Sequence, residues 1–296
     1  MSRKLKAHIA VLLANIFFGI NYITIKSIVP GKLSAPSLKV GRFTGAAILF
    51  WILFLLKPSQ PGIKKKDIPL FVLCAVLGVA LNQALFVKGL SLTSAIHASL
   101  LMLVTPILII FIAAWLLKER ITFLKIAGVT AGITGATILI LMKDVSHTAS
   151  NIVLGDVLVI LNAITYAFYL VIVRPLMKRY SAIHVIRWVF TIGLFFMIPY
   201  GWHDVTVTQW QNFTVANWMC FAFVISGATF FAYLFNIYGV SVIGASATGS
   251  YIYTQPVFAA IIAMIFTGET YDWLKLLAAI LIFGGVYVVN YKPKIK

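Results

Sequence analysis

The side chains that could carry acid–base chemistry are few, and their positions exclude several reactions. Only seven of the 296 residues are acidic, and each lies in a loop or at the end of an apolar stretch: Asp67, Glu119, Asp144, Asp156, Asp204, Glu269 and Asp272. Exchange of protons for a cationic drug needs a carboxylate within the apolar region, so that chemistry is not expected. His97 does lie within an apolar stretch. It is the best candidate for proton coupling, although a histidine that only hydrogen-bonds a neighbouring helix is the simpler interpretation.

Sequence patterns of enzymes and metal sites are missing. The chain contains no HExxH, GxSxG or GxGD motif, no paired aspartates in an apolar stretch and no P-loop. Its two cysteines, Cys74 and Cys220, form no CxxC pair. We therefore expect no enzymatic activity, no catalytic residue, no metal site and no cofactor.

Polar side chains recur at helical spacing in two of the apolar stretches. Asn15 and Tyr22 share a helix face, and Asn162 and Tyr169 repeat their spacing. Polar groups in lipid must face protein or water, which favours a cavity lining over simple contact between helices. The candidate lining residues are Asn15, Tyr22, Gln83, Phe86, His97, Asn162, Tyr166, Tyr169, Tyr233, Asn236, Tyr251 and Gln255. Amides, hydroxyls and aromatic rings without a negative charge suit neutral, zwitterionic or aromatic metabolites, including amino acids.

The composition identifies the elements that must position these residues. Hydrophobic residues make up 61% of the chain, charged residues only 10%, and the mean hydropathy is +1.01. Apolar blocks of about 20 residues match the thickness of a bilayer core. They predict an all-α integral membrane protein with ten spans, at 8–27, 37–56, 68–88, 93–117, 122–142, 154–173, 182–200, 217–239, 243–267 and 272–291.

The charge distribution predicts the orientation. The formal net charge is +17, and placing both termini in the cytoplasm puts most of the 24 Lys and Arg residues on the inner side. This topology explains the basic excess, so nucleic acid is not an expected partner. We predict a multi-pass protein of the cytoplasmic (inner) membrane with both termini inside.

The second half of the chain repeats the first. The repeated residues are Gly89, Pro106 and Glu119, followed by Gly239, Pro256 and Glu269 at the same spacings. Each copy holds five spans, and an odd number places the copies upside down relative to each other. The expected organisation is a five-helix repeat at 1–143, a connector at 144–155 and a second five-helix repeat at 156–296, arranged around a central cavity.

Taken together, these residues resemble a known family. The pattern is Gly89, Ser91, Ala95, Pro106, Glu119, Lys125 and Gly135, repeated as Gly239, Ser241, Ala245, Pro256, Glu269, Lys275 and Gly285. It resembles the drug/metabolite transporter superfamily, and most closely its ten-span EamA branch. The resemblance implies a cavity bounded by spans 1, 3, 4, 6, 8 and 9. It also implies that the two glutamates cap helix ends and that the two prolines shape helices by kinks, which could be gate pivots or plain bends.

Small and basic residues also have expected roles. Gly41 and Gly45 form a GxxxG pair, as do Gly128 and Gly132, and both pairs indicate close helix packing. Two arginines, Arg42 and Arg187, align between the halves near span ends. We expect their side chains to extend toward the membrane surface.

These observations predict a secondary transporter that moves a small organic metabolite by alternating access, most simply outward. The alternatives are a structural or receptor-like membrane protein that transports nothing and, below it, an intramembrane enzyme. The expected partners are a small-molecule substrate and membrane lipid, and a monomer is the working hypothesis for the assembly.

Overall fold

The computed structural model describes residues 2–29, 32–56, 62–92, 101–141, 151–255, 257–258, 261 and 273–291. Throughout this part of the chain the secondary structure is helical, without β-strands. The α-helices are α1 (Arg3–Ile28), α2 (Ala35–Leu56), α3 (Ile68–Ala75), α4 (Leu81–Leu92), α5 (Thr105–Leu117), α6 (Phe123–Leu141), α7 (Ile152–Ile172), α8 (Arg174–Met177), α9 (Ala182–Val207), α10 (Val215–Ile225), α11 (Ala232–Ile243), α12 (Ala245–Ser250) and α13 (Trp273–Asn290).

Several helices are long and apolar enough to cross a membrane. Within the described residues there are six such spans: Arg3–Asn21, Ala35–Leu56, Lys65–Phe86, Val153–Met177, Ala182–Val207 and Val215–Ile243. Three shorter apolar helices accompany them, at Thr105–Leu117, Phe123–Ile138 and Leu276–Asn290. The protein is therefore an all-helical, multi-pass membrane protein.

Helix α7 begins inside the stretch that the sequence assigned to a connector. Asn151 provides the N-cap, and its side-chain oxygen accepts a hydrogen bond from the Leu154 main-chain N–H. Such a cap satisfies one of the four N–H groups that a helix start leaves without a partner. The cap therefore sets the start of α7 before residue 155, where the predicted connector ends.

Two spans contain a π-helical turn at matching positions. Residues Val76–Ala80 join α3 to α4, and residues Ser226–Phe231 join α10 to α11. Val76 and Ser226 are as far apart in the chain as Gly89 and Gly239. A π turn widens a helix and often marks a functional site.

The helices pack in specific pairs. Helix α1 packs on α11, α4 on α7, α2 on α9, and α6 on α13, while α5 contacts both α7 and α12. The main apolar core includes Phe43, Phe50, Phe71, Phe190 and Tyr233, all buried. Edge-to-face and tilted ring contacts connect several of these side chains, such as Phe190 with Tyr233 at 5.0 Å between centroids.

Glycines allow the closest helix contacts, as the GxxxG spacing predicted. A Cβ on Gly41 would lie 2.6 Å from Phe221 Cζ, and one on Gly45 would lie 2.7 Å from Ile225 Cγ2. A Cβ on Gly128 would lie 2.5 Å from the Gly285 carbonyl oxygen. Both pairs therefore mark close helix packing, and the first pair brings α2 against α10.

Pro106 occupies a different place from the one expected. It lies in the first turn of α5, directly after a turn at Leu103 and Val104. Proline is well suited to this position, since the first turn of a helix has no acceptor for its missing N–H. A two-residue turn thus divides the fourth predicted span just before Pro106, which lies in the first turn of α5. Its counterpart Pro256 lies outside the described residues.

Candidate functional site

Asn82 and Asn162 join helices α4 and α7 by a reciprocal pair of hydrogen bonds. Asn82 Nδ2 donates to the Asn162 carbonyl at 3.2 Å, and Asn162 Nδ2 donates to the Asn82 carbonyl at 2.8 Å. Both side chains are buried. Gln83 Nε2 donates to Asn82 Oδ1 at 3.3 Å, which extends the polar group toward α11.

Tyrosines and a further amide continue this polar group. Asn236 Nδ2 donates to the Tyr166 hydroxyl at 3.4 Å, and the Tyr166 and Tyr169 rings are 6.2 Å apart. Gln83 approaches the Tyr233 hydroxyl. We name this set the amide–tyrosine cluster; it comprises Asn82, Gln83, Asn162, Tyr166, Tyr169, Tyr233 and Asn236.

Two atoms of the cluster are buried without a partner among the described residues. They are the Tyr169 hydroxyl, which can donate, and Asn236 Oδ1, which can accept. A buried polar group without a hydrogen bond costs about 1–3 kcal/mol. A polar molecule bound between the helices would supply the missing bonds.

A second polar contact joins α1 to the ninth predicted span. Asn15 is 1% exposed, and its Oδ1 accepts a hydrogen bond from Gln255 Nε2 at 2.8 Å. Asn15 Nδ2 donates to the Val11 carbonyl at 2.8 Å. The structure therefore brings these two candidates together, although their positions in the chain lie far apart.

The remaining candidates have separate surroundings. Tyr251 contacts His8, with 2.8 Å between the Tyr251 hydroxyl and His8 Nδ1. Phe86 is half-buried on α4. The backbone of Tyr22 belongs to α1, but its side chain lies outside the description. His97 and Glu269 also lie outside the described residues.

Glu119 links four separate parts of the chain. Its carboxylate bonds Arg174, lies 3.2 Å from Lys125 Nζ and accepts a hydrogen bond from Ser246 at 2.7 Å. Burial raises its pKa, but the hydrogen bond from Ser246 and the charges of Lys125 and Arg174 outweigh that effect and hold the pKa below its ordinary value. The resemblance implied a helix-end cap; the observed contacts instead join the carboxylate to α6, α8 and α12.

Asp67 forms a similar link between the two halves of the sequence. Its carboxylate bonds Arg179 and accepts a hydrogen bond from the Tyr180 hydroxyl at 2.7 Å. The Tyr180 hydroxyl in turn accepts from the Lys64 main-chain N–H at 3.1 Å. Asp67 and Glu119 both belong to the first half of the sequence, whereas Arg174 and Arg179 belong to the second. We call these two links the ionic contacts.

Neither aligned arginine extends to the membrane surface. Arg42 is 6% exposed, and its Nε donates to Thr229 Oγ1 at 3.0 Å. Arg187 has no exposed surface, and its guanidinium lies 3.6 Å from the centre of the Phe54 ring and 4.6 Å from that of Trp51. The expectation of surface-directed side chains is wrong, because helix contacts on either side cover both guanidinium groups.

Two pockets lie outside the amide–tyrosine cluster. One of about 270 Å³ is lined by Leu117, Lys118, Glu119, Arg174, Pro175 and Lys178. Lys118 has a left-handed backbone with φ of 53° at the end of α5. The other pocket, of about 350 Å³, lies along the outer side of α2 and α9.

Comparison with known proteins agrees with this architecture. An uncharacterized transporter of Archaeoglobus fulgidus is 27% identical over 295 residues, covering 97% of this chain and 98% of that protein. A Streptantibioticus cattleyicolor protein named "Probable terminal-alkyne amino-acid exporter" is 26% identical over 235 residues, covering 77% of this chain and 74% of its own length. A solved crystal structure shares the fold with a TM-score of 0.79 at 18% identity, covering 97% of this chain and 96% of that one.

The family comparison covers nearly the whole chain. The EamA-like transporter family matches residues 5–141 and, a second time, residues 153–291. Several relatives that match along most of their length are named transporters. This protein belongs to the EamA-like transporter family.

Proposed function

We propose that the protein moves a small organic metabolite across the cytoplasmic membrane by alternating access, in the outward direction. The substrate is neutral, zwitterionic or aromatic, and amino-acid-like molecules are the leading class. The observation that carries this proposal is the amide–tyrosine cluster, which is buried between helices from both halves of the sequence and retains unbonded polar atoms. The name of the Streptantibioticus relative supports the class and the direction.

Many alternating-access transporters are built from an inverted repeat, and several observations support one here. Exchanging the two halves of the chain maps the α1–α11 contact onto α7–α4, and maps α2–α9 and α6–α13 onto themselves. The π turns at Val76–Ala80 and Ser226–Phe231 occupy matching positions. We therefore propose a ten-helix bundle of two five-helix units, with the substrate near the bilayer midplane.

The ionic contacts would close one face of this bundle. Each joins a carboxylate of the first half to an arginine of the second half, Glu119 to Arg174 and Asp67 to Arg179. Opening the bundle at this end would separate the halves and break these contacts. The excess of basic residues supports a cytoplasmic position for this face, and we propose that both termini are cytoplasmic.

Flux measurements in proteoliposomes test the proposal. Purified protein in vesicles preloaded with unlabelled amino acids should exchange them for external labelled amino acids faster than protein-free vesicles do. The panel should include leucine, phenylalanine, tyrosine and tryptophan. If no member of a broad amino-acid and aromatic panel moves, the result contradicts transport of this class and favours a structural or receptor-like protein.

Proton coupling is a separate question within this proposal. If His97 carries the proton, His97→Ala should abolish substrate accumulation driven by a pH gradient. Exchange of substrate between vesicles and medium at equal pH should continue. Accumulation that persists in His97→Ala would exclude that role. We propose a monomer in contact with membrane lipid as the working unit.

A further inference from the structure

Arg42 is a buried cation without a role in the transport cycle proposed above. It is 6% exposed, and the only hydrogen bond that its guanidinium makes to the described residues is from Nε to Thr229 Oγ1 at 3.0 Å. Among those residues no carboxylate lies within salt-bridge distance of it. Charged side chains within a membrane are costly and commonly mark a substrate or ion pathway.

Arg42 contacts the middle of a neighbouring span. Thr229 is the middle residue of the 29-residue span Val215–Ile243, so the contact lies about halfway along that span. Gly41 and Gly45 allow α2 to approach α10 closely enough for this contact. The arginine therefore reaches inward, toward the span that also carries part of the amide–tyrosine cluster.

The π turn presents Thr229 to this arginine. Thr229 Oγ1 lies within the turn Ser226–Phe231 and donates to the Val224 carbonyl at 2.6 Å, while it accepts from Arg42. Thr229, Tyr233 and Asn236 are spaced i, i+4 and i+7, which places them along one side of the span. Phe43 connects Arg42 to the same side: its ring centre lies 5.3 Å from the Arg42 guanidinium carbon and 6.4 Å from the centre of the Tyr233 ring. The guanidinium thus borders the amide–tyrosine cluster.

The equivalent arginine of the second half has different surroundings. The Arg187 guanidinium packs on the rings of Trp51, Phe54 and Trp188, at 4.6, 3.6 and 5.4 Å from their centres. It also lies 3.2 Å from His184 Nδ1. Aromatic faces stabilise a buried cation. Among the described residues Arg42 has one ring contact, to Phe43 at 5.3 Å, so aromatic faces cover less of its guanidinium.

We infer that Arg42 binds the carboxylate of the transported molecule, with Thr229 as the residue that positions its guanidinium. The planar group has further N–H donors, and a carboxylate accepts two of them in parallel. The Tyr233 ring contacts the Phe18 ring edge to face at 6.0 Å, and these two rings suit an aromatic or apolar side chain. The substrate class is therefore an amphiphilic carboxylic acid, which includes aromatic amino acids. This inference rests on the proposed function.

The test compares a carboxylic acid with its amide. Wild-type protein in proteoliposomes should exchange labelled L-phenylalanine and be inhibited by unlabelled L-phenylalanine and 3-phenylpropionate. L-Phenylalaninamide, which lacks the carboxylate, should inhibit at least about tenfold less well, because a site built to bind a charged group rejects an analogue without it. L-Phenylalanine should also raise the melting temperature of the purified protein more than the amide does.

Variants test which residues produce the preference for the carboxylic acid over its amide. Arg42→Gln should lose the preference for acid over amide, and Arg42→Lys should keep part of it through its charge. Thr229→Val should weaken the preference, and Thr229→Ser should restore it. Arg187→Gln is the matched control, and it should retain the acid preference even if its melting temperature falls.

The outcomes separate the two proposals. If wild-type protein transports acid and amide equally, or if folded Arg42→Gln keeps the acid preference, the inference is overturned while transport stands. If wild-type protein transports neither compound nor any other amino acid, the proposed function fails first and the inference fails with it. Comparable melting temperatures for Arg42→Gln and Arg187→Gln would show that a loss specific to Arg42 is not a folding defect.

Discussion

Asn82 and Asn162 each donate their side-chain amide to the main-chain carbonyl of the other, which fastens α4 to α7 across the two halves of the sequence. The contact is more than an ordinary polar pair between helices. It gives an acceptor to each of two buried amide N–H groups and brings Gln83 and Tyr166 into the same region, since they neighbour these asparagines on the two helices. The polar surface of the proposed site therefore depends on this pair.

Replacing either asparagine by leucine should weaken both the fold and the flux. Hydrogen bonds between membrane helices contribute about 0.6–2 kcal/mol each. We expect Asn162→Leu and Asn82→Leu to lower the melting temperature and to slow exchange. The double variant should be worse than either single one, because each leucine removes one amide donor and leaves in place the main-chain carbonyl that accepts from the other asparagine. Thr134→Val is a control on the exposed side of α6, where the hydroxyl bonds only its own helix. Wild-type melting temperatures in both single variants would contradict a stabilising role for these two hydrogen bonds.

Asn15→Leu and Gln255→Leu should impair transport for the same reason, because each removes the same hydrogen bond. The two side chains form one hydrogen bond of 2.8 Å between α1 and the ninth predicted span. Losing either partner leaves the other buried and unsatisfied, so both variants should express yet exchange substrate more slowly. Initial exchange rates per folded protein provide the measurement. Wild-type rates in both variants would assign the contact to helix packing alone.

Two adjacent glycines on α13 should respond in opposite ways to alanine. A Cβ on Gly285 would lie 2.4 Å from the Gly128 carbonyl oxygen, whereas a Cβ on Gly284 would meet nothing within 4 Å. Gly285→Ala should therefore force α6 and α13 apart and destabilise the protein by about 1–3 kcal/mol. Gly284→Ala should be neutral or stabilise the helix slightly. Thermal melting of the two purified variants checks this, and equal melting temperatures would refute the close α6–α13 contact.

The contribution of Glu119 to the stability of the fold should decrease as the pH falls. Its folded-state pKa is held below the ordinary value of 4.5 by Ser246, Lys125 and Arg174 despite burial. A lowered folded pKa stabilises the fold fully above the unfolded value, and this contribution is lost as pH falls through the folded value. Wild-type protein should thus exceed Glu119→Gln in melting temperature at pH 7, and the difference should shrink well below pH 4.5.

Lys125→Gln is a milder control for the same contact, because it leaves Arg174 and Ser246 on the carboxylate. It should lower the melting temperature less than Glu119→Gln does. A difference between wild type and Glu119→Gln that is unchanged or larger in acid would show that the carboxylate is not stabilised in its charged form.

The sequence alone determined the class of the protein and much of its candidate site. Apolar blocks of about 20 residues predict helices that cross lipid, and GxxxG spacing predicts close helix packing. Composition and local spacing therefore identified Gly41, Gly45, Gly128 and Gly132 as sites of close contact, but not the residues that they meet. The same logic selected Asn162, because an amide in an apolar helix needs a partner.

Only the tertiary structure decided which partner each side chain has. Asn82 and Asn162 are 80 residues apart in the chain, and Glu119 and Arg174 are 55 apart. No local pattern records which helices meet, because a contact between helices depends on the shapes of both surfaces. Arg42 and Arg187 show this most clearly: they match in sequence, but one guanidinium meets Thr229 within a π turn and the other meets three aromatic rings.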